Sequence, residues 1–344
     1  MHIPDGYLSP STCIVMYAAA APFWARALSR IRGVFSRRRT VLVALFAAAS
    51  FVIMMFNVPL PGGTTGHAVG AVLAAIVLGP WPAVLSISLA LAVQALFFGD
   101  GGILAFGANA FNMAVVMPLS GYLIYRLLLR AFAGRKDAPW GRPVAAAVAG
   151  YIALNLAAFL TAVEFGIQPL LFKDASGVPL YCPYGLDVAI PAMMIPHLLV
   201  AGWMEAAFTG AVVAYLQRAH RELLEAPEAE SPVPAPRRVA LTMWVALGLL
   251  IVLTPLGLLA AGTAWGEWGP EELEELGLGF IPQGLESLGS IWNAPIPDYA
   301  IPFLGDTVGY IVSALLGVGI LVLIFWLVGI LIEKIGRPGR APAP

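Results

Sequence analysis

The chain has 344 residues, of which 60% are hydrophobic and only 11% are charged. Soluble domains carry charge on about 25% of their residues, so this composition indicates an integral membrane protein. The formal net charge of −1 argues against nucleic acid as a partner. Cys13 and Cys182 are too few for a disulfide framework and do not form a Cys-X-X-Cys pair.

Nine apolar segments, each close to the ~20 residues of a bilayer crossing, predict nine transmembrane helices. The first runs from about Ser9 to Leu28, begins with a Ser-Pro pair typical of a helix start, and precedes an arginine cluster at 30–39. Basic residues concentrate on the cytoplasmic side, so this cluster predicts an outside amino terminus and, after nine crossings, a cytoplasmic carboxyl terminus. The other spans are placed at about 40–59, 66–80, 82–98, 109–131, 142–164, 188–217, 239–262 and 306–332.

A polar, proline-rich stretch at 222–238 predicts an extended, semi-rigid cytoplasmic linker. It separates a seven-helix bundle, residues 1–221, from a two-helix carboxyl-terminal domain, residues 239–344. The predicted fold class is therefore an all-α integral membrane protein. The second domain has an outside loop at about 263–305, where we expect a solvated acidic surface, with weak concentration of cations as the alternative. Its glutamates are Glu267, Glu271, Glu272, Glu274, Glu275 and Glu286.

The first residues of the chain predict a metal chelate. The Met1 amine, the His2 backbone nitrogen and one ring nitrogen of His2 can bind the same ion in a five-membered and a six-membered ring. Three nitrogens in one plane suit Ni(II) or Cu(II), with Co(II) as a close relative. The alternative is a frayed tip, since termini are poorly ordered unless they are tied down. Pro4 and Asp5, which stiffen and turn the chain, are unusual in a flexible tail.

A fourth nitrogen is offered by His67, which ends a glycine-rich run that begins at Pro61. The alternative for this residue is a hydrogen-bonded loop histidine. Ionisable and metal-binding side chains are costly at membrane depth, which favours a functional role.

Four more polar residues, in the next outside loop and the helices beside it, are candidates for an outer layer around the metal: Gln94, Asp100, Asn109 and Asn112. Asn109 and Asn112 lie one helical turn apart, which predicts that their amides face the same way and orient the two histidines. The alternative is hydrogen bonding between helices, which weighs at least equally for Gln94. The glycines around Asp100 allow a close approach of another segment.

His197 and Glu205 lie eight residues apart in the seventh predicted helix, so they do not share one narrow stripe. We interpret His197 as a packing or hydrogen-bonded residue, with a place on a metal pathway as the alternative. A membrane-embedded metal-dependent enzyme could use both residues together with His67. Against an enzyme, the sequence has no HExxH motif and no nucleophile–histidine arrangement, and we predict no catalytic residue. It also has no P-loop with which to use ATP.

Three segments in the same order resemble the CbiM/NikM family: Met1–Gly6, Gly62–His67 and Gly99–Met113. These proteins are the substrate-binding membrane subunits of energy-coupling-factor (ECF) nickel and cobalt transporters. The resemblance covers about residues 1–220. The part after the linker resembles the small accessory subunit of the NikN, CbiN or PDGLE type, although Gln283 stands where that family has aspartate.

The resemblance implies that Ni(II) or Co(II) is captured outside by the Met1 amine, the His2 amide and ring, and His67. The ion is then the transported substrate, and no organic cofactor is expected. The implied partners are a scaffold transmembrane subunit and two cytoplasmic ATPases, in a cell membrane that the chain crosses many times. An alanine face on the first helix resembles a docking surface for the scaffold: Ala18, Ala19, Ala21 and Ala25.

Another subunit of similar architecture, which binds a vitamin and no metal, remains as an alternative. It differs in requiring no ligand from His2. For the metal-binding subunit, chelation releases protons, so we expect binding to weaken below the ordinary pKa values of an imidazole and an α-amine, ~6.5 and ~7.7–8.0.

Overall fold

The protein is mainly helical in the computed structural model, which describes residues 1–32, 37–132, 134, 138–225, 237–260 and 262–335. The first part of the chain contains α1 (Pro10–Arg32), α2 (Arg37–Met54), β1 (Val58–Leu60), β2 (Thr64–Gly66), α3 (Ala71–Leu78), α4 (Pro80–Val93), α5 (Phe106–Asn109), α6 (Met117–Ala131), α7 (Gly141–Gly166), α8 (Gln168–Leu171), α9 (Leu186–Pro196), α10 (Gly202–Ala219) and α11 (Glu222–Glu225). The second part contains α12 (Arg237–Leu253), α13 (Pro270–Glu275), α14 (Gln283–Leu288) and α15 (Asp306–Ile335).

Six helical segments in these described ranges are long and apolar enough to cross a membrane: Pro80–Phe98, Phe106–Ala131, Gly141–Leu171, Leu186–Ala219, Leu241–Leu259 and Asp306–Ile330. They identify a multi-pass membrane protein. A shorter apolar helix covers Thr40–Met54. The count of nine crossings and the sides on which the termini lie stay predictions.

The segment predicted as a span at 66–80 is not one continuous helix, so this prediction is wrong in detail. After β2 the chain is irregular, and α3 has only eight residues, about 12 Å of helix against about 30 Å of hydrocarbon. Gly70, with φ 74°, precedes α3 in a left-handed conformation that favours glycine. Irregular backbone at membrane depth needs partners from the protein, because lipid offers none.

The β-hairpin is a second departure from the all-α prediction. β1 and β2 pair antiparallel, with Val58 opposite Gly66 and Leu60 opposite Thr64. Turn residues Pro61, Gly62 and Gly63 connect the two short strands. The sequence predicts only a loop leading to His67 here, because three-residue strands carry too little alternation to be recognised.

π-Helical segments interrupt three of the long helices. They cover Gln94–Phe98, Ala110–Val116 and His197–Ala201. A π-helical turn holds more residues than an α-helical turn, so residues three apart no longer face the same way. The segments begin at Gln94, directly after Asn109, and at His197.

The predicted linker at 222–238 lies largely outside the described residues. Its first residues, Glu222–Glu225, form a helical turn and are not extended. The two helices predicted for the second domain correspond to α12 and α15. Both pack against α2: in α15, a Cβ atom on Gly317 would lie 2.1 Å from the ring of Phe51.

Small residues allow the helices of the bundle to approach closely. In α7, completely buried alanines recur at every fourth position, at Ala145, Ala149, Ala153 and Ala157. This spacing places them on one face, and α7 packs extensively against α10. Without a hydrophobic effect between helices in lipid, such close packing supplies much of the association energy.

Helices α1 and α5 also meet through a glycine, which generates a test of this packing. A Cβ atom on Gly107 would lie 2.6 Å from the backbone nitrogen of Tyr17, and the backbone cannot yield as a side chain would. We expect Gly107→Ala to lower the free energy of unfolding by about 1–3 kcal/mol. Thermal unfolding in detergent measures the change. Gly248→Ala is the control, since nothing lies within 4 Å of its Cβ position; equal destabilisation by both would contradict the packing argument.

Candidate metal centre

The amino-terminal segment is a buried and ordered part of the fold. The exposed fractions of Met1, His2 and Ile3 are 6%, 3% and 0%. The Ile3 carbonyl accepts a hydrogen bond from the Gly102 amide at 2.8 Å, and the Tyr7 carbonyl accepts one from the Cys182 amide at 3.0 Å. The alternative of a frayed tip is therefore wrong. At the end of the segment, the helix starts at the predicted Ser-Pro pair, where the Ser9 hydroxyl caps it by accepting the amide of Thr12.

Asn109 holds the backbone directly after His2. Its Oδ1 accepts the Ile3 amide at 2.8 Å, and its Nδ2 donates to the Ile3 carbonyl at 3.0 Å. One side chain thus satisfies both backbone groups of a completely buried residue. The expected role for Asn109 was to orient an imidazole; instead it fixes the chain from which the His2 imidazole projects.

Asp5 fixes the same segment from its other side. Its carboxylate accepts the amides of Ile103 at 2.9 Å and Ala105 at 3.0 Å. Burial raises the pKa of the Asp5 carboxyl, although these amide donors lower it in part. A Cβ atom on Gly102 would lie 2.0 Å from Asp5 Oδ1, so the close approach predicted for the glycine-rich loop is confirmed.

His2 and His67 lie side by side. Their ring centroids are 5.1 Å apart and the rings are tilted by 32°. A bond of about 2 Å from a metal to each imidazole nitrogen places the centroids of two rings that share an ion roughly 4–6 Å apart. The observed separation therefore suits two ligands of one ion.

The tautomer of His67 follows from its backbone contact. Its Nδ1 lies 3.1 Å from the Ala68 carbonyl oxygen, which can only accept, so Nδ1 carries the hydrogen and Nε2 offers its lone pair. Burial, followed by the nearby charges of His2 and the Met1 amine, lowers the pKa of His67 to about 3. The imidazole is therefore neutral near pH 7, which is the form that binds metal.

Asp100 receives three donors at the centre of the site. His2 Nδ1 lies 3.0 Å from its Oδ1, while Tyr299 Oη and Gln94 Nε2 donate to its Oδ2 at 2.6 Å and 3.0 Å. Burial alone would raise the pKa of Asp100, but the charge of His2 and the hydrogen bonds from His2 and Tyr299 prevail and lower it. Gln94 Nε2 also donates to the Tyr299 hydroxyl at 3.0 Å, so Gln94 contacts the site through Asp100 and Tyr299.

The other ring nitrogen of His2 lacks a partner. His2 Nε2 is buried and makes no hydrogen bond among the described residues. Orphaned buried nitrogens are rare in folded proteins. In this site, an unpaired imidazole nitrogen lies next to a second imidazole.

The Met1 amine is paired with Glu267, 3.2 Å from its Oε1. Glu267 belongs to the acidic loop of the second domain, which we expected to be a solvated surface. Part of this loop instead covers the amino terminus. A cavity of about 330 Å³ lies between them and includes in its lining Met1, His2, His67, Asp100, Glu267, Asp298 and Tyr299.

Backbone contacts hold the loop in this place. The Tyr7 hydroxyl donates to the Trp268 carbonyl at 2.8 Å, and the Trp265 amide donates to Thr64 Oγ1 at 2.7 Å. Sequence reasoning missed Glu267 and Tyr299 as site residues. Both lie about 200 residues or more from their partners in the chain, and no local pattern distinguishes them from other loop residues.

Asn112 does not join the site, which corrects the prediction that it orients a histidine. Its Nδ2 donates to Glu164 Oε2 at 2.9 Å and to Thr161 Oγ1 at 3.2 Å. The π-helical segment that begins at Ala110 explains the difference, because it turns Asn112 away from the direction of Asn109.

His197 and Glu205 each bind backbone in the bundle. His197 Nδ1 lies 2.6 Å from the Met193 carbonyl, so it has the hydrogen-bonded role that we preferred for it. Glu205 accepts the amides of Val69 and Gly70. In the described parts of the chain, no three His, Cys, Asp or Glu side chains group closely enough to hold a metal by themselves.

The two hydrogen bonds between the Asn109 side chain and the Ile3 backbone can be tested by mutation. Asn109→Ala leaves the buried Ile3 amide without a partner, at a cost of about 1–3 kcal/mol, while the Ile3 carbonyl keeps only the Gly102 amide, so the amino terminus should detach more readily. We expect the affinity for Ni(II) to fall at least about tenfold and cleavage of the segment by protease to accelerate. Titration calorimetry and limited proteolysis measure these effects. Asn112→Ala is the control, because it removes a buried side-chain amide that does not contact the amino terminus. An equal loss of Ni(II) affinity in Asn112→Ala would contradict the role assigned to Asn109.

Comparison with models of known protein families matches residues 2–223 to CbiM, the cobalt uptake substrate-specific transmembrane region. Residues 239–334 match the PDGLE domain.

Among individual proteins, the fused nickel transport protein NikMN of Rhodobacter capsulatus is 50% identical over 339 residues, 94% of this chain and 95% of that protein. The cobalt transport protein CbiM of Geobacter sulfurreducens is 33% identical over 272 residues, 77% of this chain and 74% of that protein. The crystal structure of a truncated transition metal transporter, 54% identical, superposes with a TM-score of 0.60 over 64% of this chain and 100% of that one. The chain therefore belongs to the CbiM family of transport proteins, joined in one polypeptide to a PDGLE domain.

Proposed function

We propose that this membrane protein captures Ni(II) or Co(II) for an ECF transporter. The ligands are the Met1 amine, the His2 backbone and ring nitrogens, and His67 Nε2. The observation that carries the proposal is the buried amino terminus, which places a terminal amine and two adjacent imidazoles in one cavity. Membership in a family of transport proteins, and not of enzymes, supports this proposal.

The donor set favours particular ions. Four nitrogens, three of them from a planar chelate, match the preference of Ni(II) for square-planar nitrogen sites. Co(II) accepts the same ligands and depends less on a planar arrangement of them. The related NikMN of Rhodobacter capsulatus is named for nickel and the related CbiM of Geobacter sulfurreducens for cobalt, which supports both ions as substrates.

Chelation requires the Met1 amine and His2 Nδ1 each to exchange a carboxylate partner for the metal ion. The six-membered ring uses His2 Nδ1, which lies 3.0 Å from Asp100 Oδ1, and the amine lies 3.2 Å from Glu267 Oε1. Turning the imidazole about its Cβ–Cγ bond frees Nδ1 for the ion and lets the Nε2 hydrogen face Asp100. A carboxylate on the second nitrogen of a metal-bound histidine is the usual arrangement, and it gives Nε2 the partner that it lacks.

ATP hydrolysis falls to other subunits, because this chain has no P-loop. The proposed partners are a scaffold transmembrane subunit and two cytoplasmic ATPases. The alanine face of α1 suits contact with such a scaffold: Ala18, Ala21 and Ala25 are exposed, and Ala19 is partly so. We keep the proposed division of the chain into residues 1–221, a linker at 222–238 and a second domain at 239–344, with the metal centre on the outer side.

The enzyme and vitamin alternatives are weaker. A metal enzyme built on His67, His197 and Glu205 would need their side chains to converge, whereas the carboxylate of Glu205 and His197 Nδ1 each engage backbone groups. A vitamin-binding subunit gives no reason for two imidazoles and an amine around one cavity. Retention of substrate binding in His2→Ala would favour the vitamin subunit.

Extending the chain tests the chelate directly. Two glycines added before Met1 move the terminal amine two residues further from His2, so that the amine and the imidazole no longer close adjacent chelate rings, and should weaken Ni(II) binding by about 100-fold or more. His67→Ala should remove the fourth nitrogen and change the absorption spectrum of bound Ni(II). His220→Ala, at the opposite end of the bundle beside Glu222, is the matched control. Unchanged affinity in the extended chain would overturn the proposal.

The pH dependence follows from the protons that Ni(II) displaces. The amine, amide and ring of the chelate must lose protons, so affinity should fall as pH is lowered from 8 to 6, by about tenfold or more per unit. His67 adds nothing to this slope, since its pKa is lowered to about 3 and it is already neutral. Competition with a chelator of known affinity at several pH values measures the slope. A pH-independent affinity would be inconsistent with chelation by the amino terminus.

A further inference from the structure

A carboxylate inside the bundle binds the backbone that follows His67. Glu205, in α10, is completely buried. Its Oε2 accepts the Val69 amide at 2.8 Å and the Gly70 amide at 3.0 Å, across 136 and 135 residues of sequence. A carboxylate that meets two successive backbone amides fixes both the position and the direction of that segment.

The segment needs such a partner. It lies between β2 and α3, where the backbone is irregular, and Gly70 before α3 has no side-chain cap of its own among the described residues. Its amides point into the interior of a membrane protein, where an unpaired donor is costly. Glu205 meets this need from a helix that is distant in the chain.

The other contacts of the segment complete a clamp around His67. The Val69 carbonyl accepts the Ser50 hydroxyl at 2.6 Å. On the other side of His67, Gly66 pairs with Val58 in the hairpin. The backbone is thus held on both sides of the histidine, by strand pairing before it and by Ser50 and Glu205 after it.

Glu205 is itself held in place. The Thr209 hydroxyl donates to its Oε1 at 3.4 Å, one turn along α10. A Cβ atom on Gly150 in α7 would lie 3.4 Å from Glu205 Cγ, so the facing helix packs directly beside the Glu205 side chain. Oε2 accepts the two backbone amides and Oε1 accepts the Thr209 hydroxyl. Both carboxylate oxygens are therefore engaged, and neither is directed at the metal cavity.

We propose that Glu205 is a positioning residue for the metal site, which holds the backbone so that His67 Nε2 meets the amino-terminal chelate. This inference rests on the function proposed above. In this role Glu205 accepts hydrogen bonds from the Val69 and Gly70 amides, so the length of its side chain matters and its charge does not. A role on a metal pathway would have the opposite requirement, because a passing cation responds to charge.

Two conservative variants separate these roles. Glu205→Gln keeps the length and one acceptor oxygen, which can receive both amides while its NH₂ group donates to the Thr209 hydroxyl. Glu205→Asp keeps the charge but withdraws the carboxylate by about 1.5 Å, beyond hydrogen-bond reach of the amides. We expect Glu205→Gln to bind Ni(II) within about threefold of the wild-type affinity and Glu205→Asp to lose about tenfold or more.

The spectrum of bound Ni(II) gives a readout that general destabilisation would not move. Glu205→Asp should shift the absorption toward that of His67→Ala, because both lose the fourth nitrogen. Combining Glu205→Asp with His67→Ala should weaken binding no further than His67→Ala alone, since both act through the same ligand. Full-length protein in detergent is used throughout, with thermal unfolding recorded for each variant.

Glu164 offers a matched control, as a buried carboxylate in α7 that binds Asn112 and not the His67 segment. Glu164→Asp should leave both affinity and spectrum unchanged. The inference is overturned if Glu205→Gln loses affinity as Glu205→Asp does, or if the double variant is additive. Failure of the wild-type protein to bind Ni(II), or full binding by His67→Ala, would instead refute the proposed function.

Discussion

The site depends on burying a chain terminus inside a membrane bundle. An amine and several backbone groups leave water there, and each needs a partner that lipid cannot provide. Glu267 pairs with the amine, Asn109 satisfies both backbone groups of Ile3, and Asp5 binds the loop that surrounds the segment. These contacts convert a segment that would otherwise fray into a rigid one, and the proposed sharing of one ion with His67 depends on that rigidity.

The same contacts shape the electrostatics of the cavity. Two carboxylates, Asp100 and Glu267, face the two amino-terminal nitrogens that could chelate, His2 Nδ1 and the Met1 amine. Burial and its positive neighbours keep His67 neutral. The negative charges of these two carboxylates would lie close to an ion bound by the amino-terminal nitrogens. They therefore favour a divalent cation over a neutral ligand.

The second domain is part of the site and not only an attachment to it. Glu267 pairs with the amine, Tyr299 donates to Asp100, and the Tyr7 hydroxyl binds the backbone at Trp268. Because these groups come from the PDGLE domain, joining it covalently to the CbiM part keeps the cover next to the cavity at high effective concentration. On the inner side, Glu205 fixes the backbone after His67. Residues of both the PDGLE domain and the CbiM part therefore shape the cavity.

The sequence by itself determined the membrane class, and it predicted an ordered amino terminus, a glycine-rich loop close to another segment, and His2 and His67 as neighbours. These features follow from composition and local patterns, which bonds along the chain and the bilayer enforce. The tertiary structure alone decided the rest. A π-helical segment turned Asn112 away, α3 proved too short to cross, and Glu267, Tyr299 and Glu205 found partners more than 130 residues away. Such pairings depend on how helices pack in three dimensions, and a polar side chain carries no local signal of the distant backbone group that it will meet.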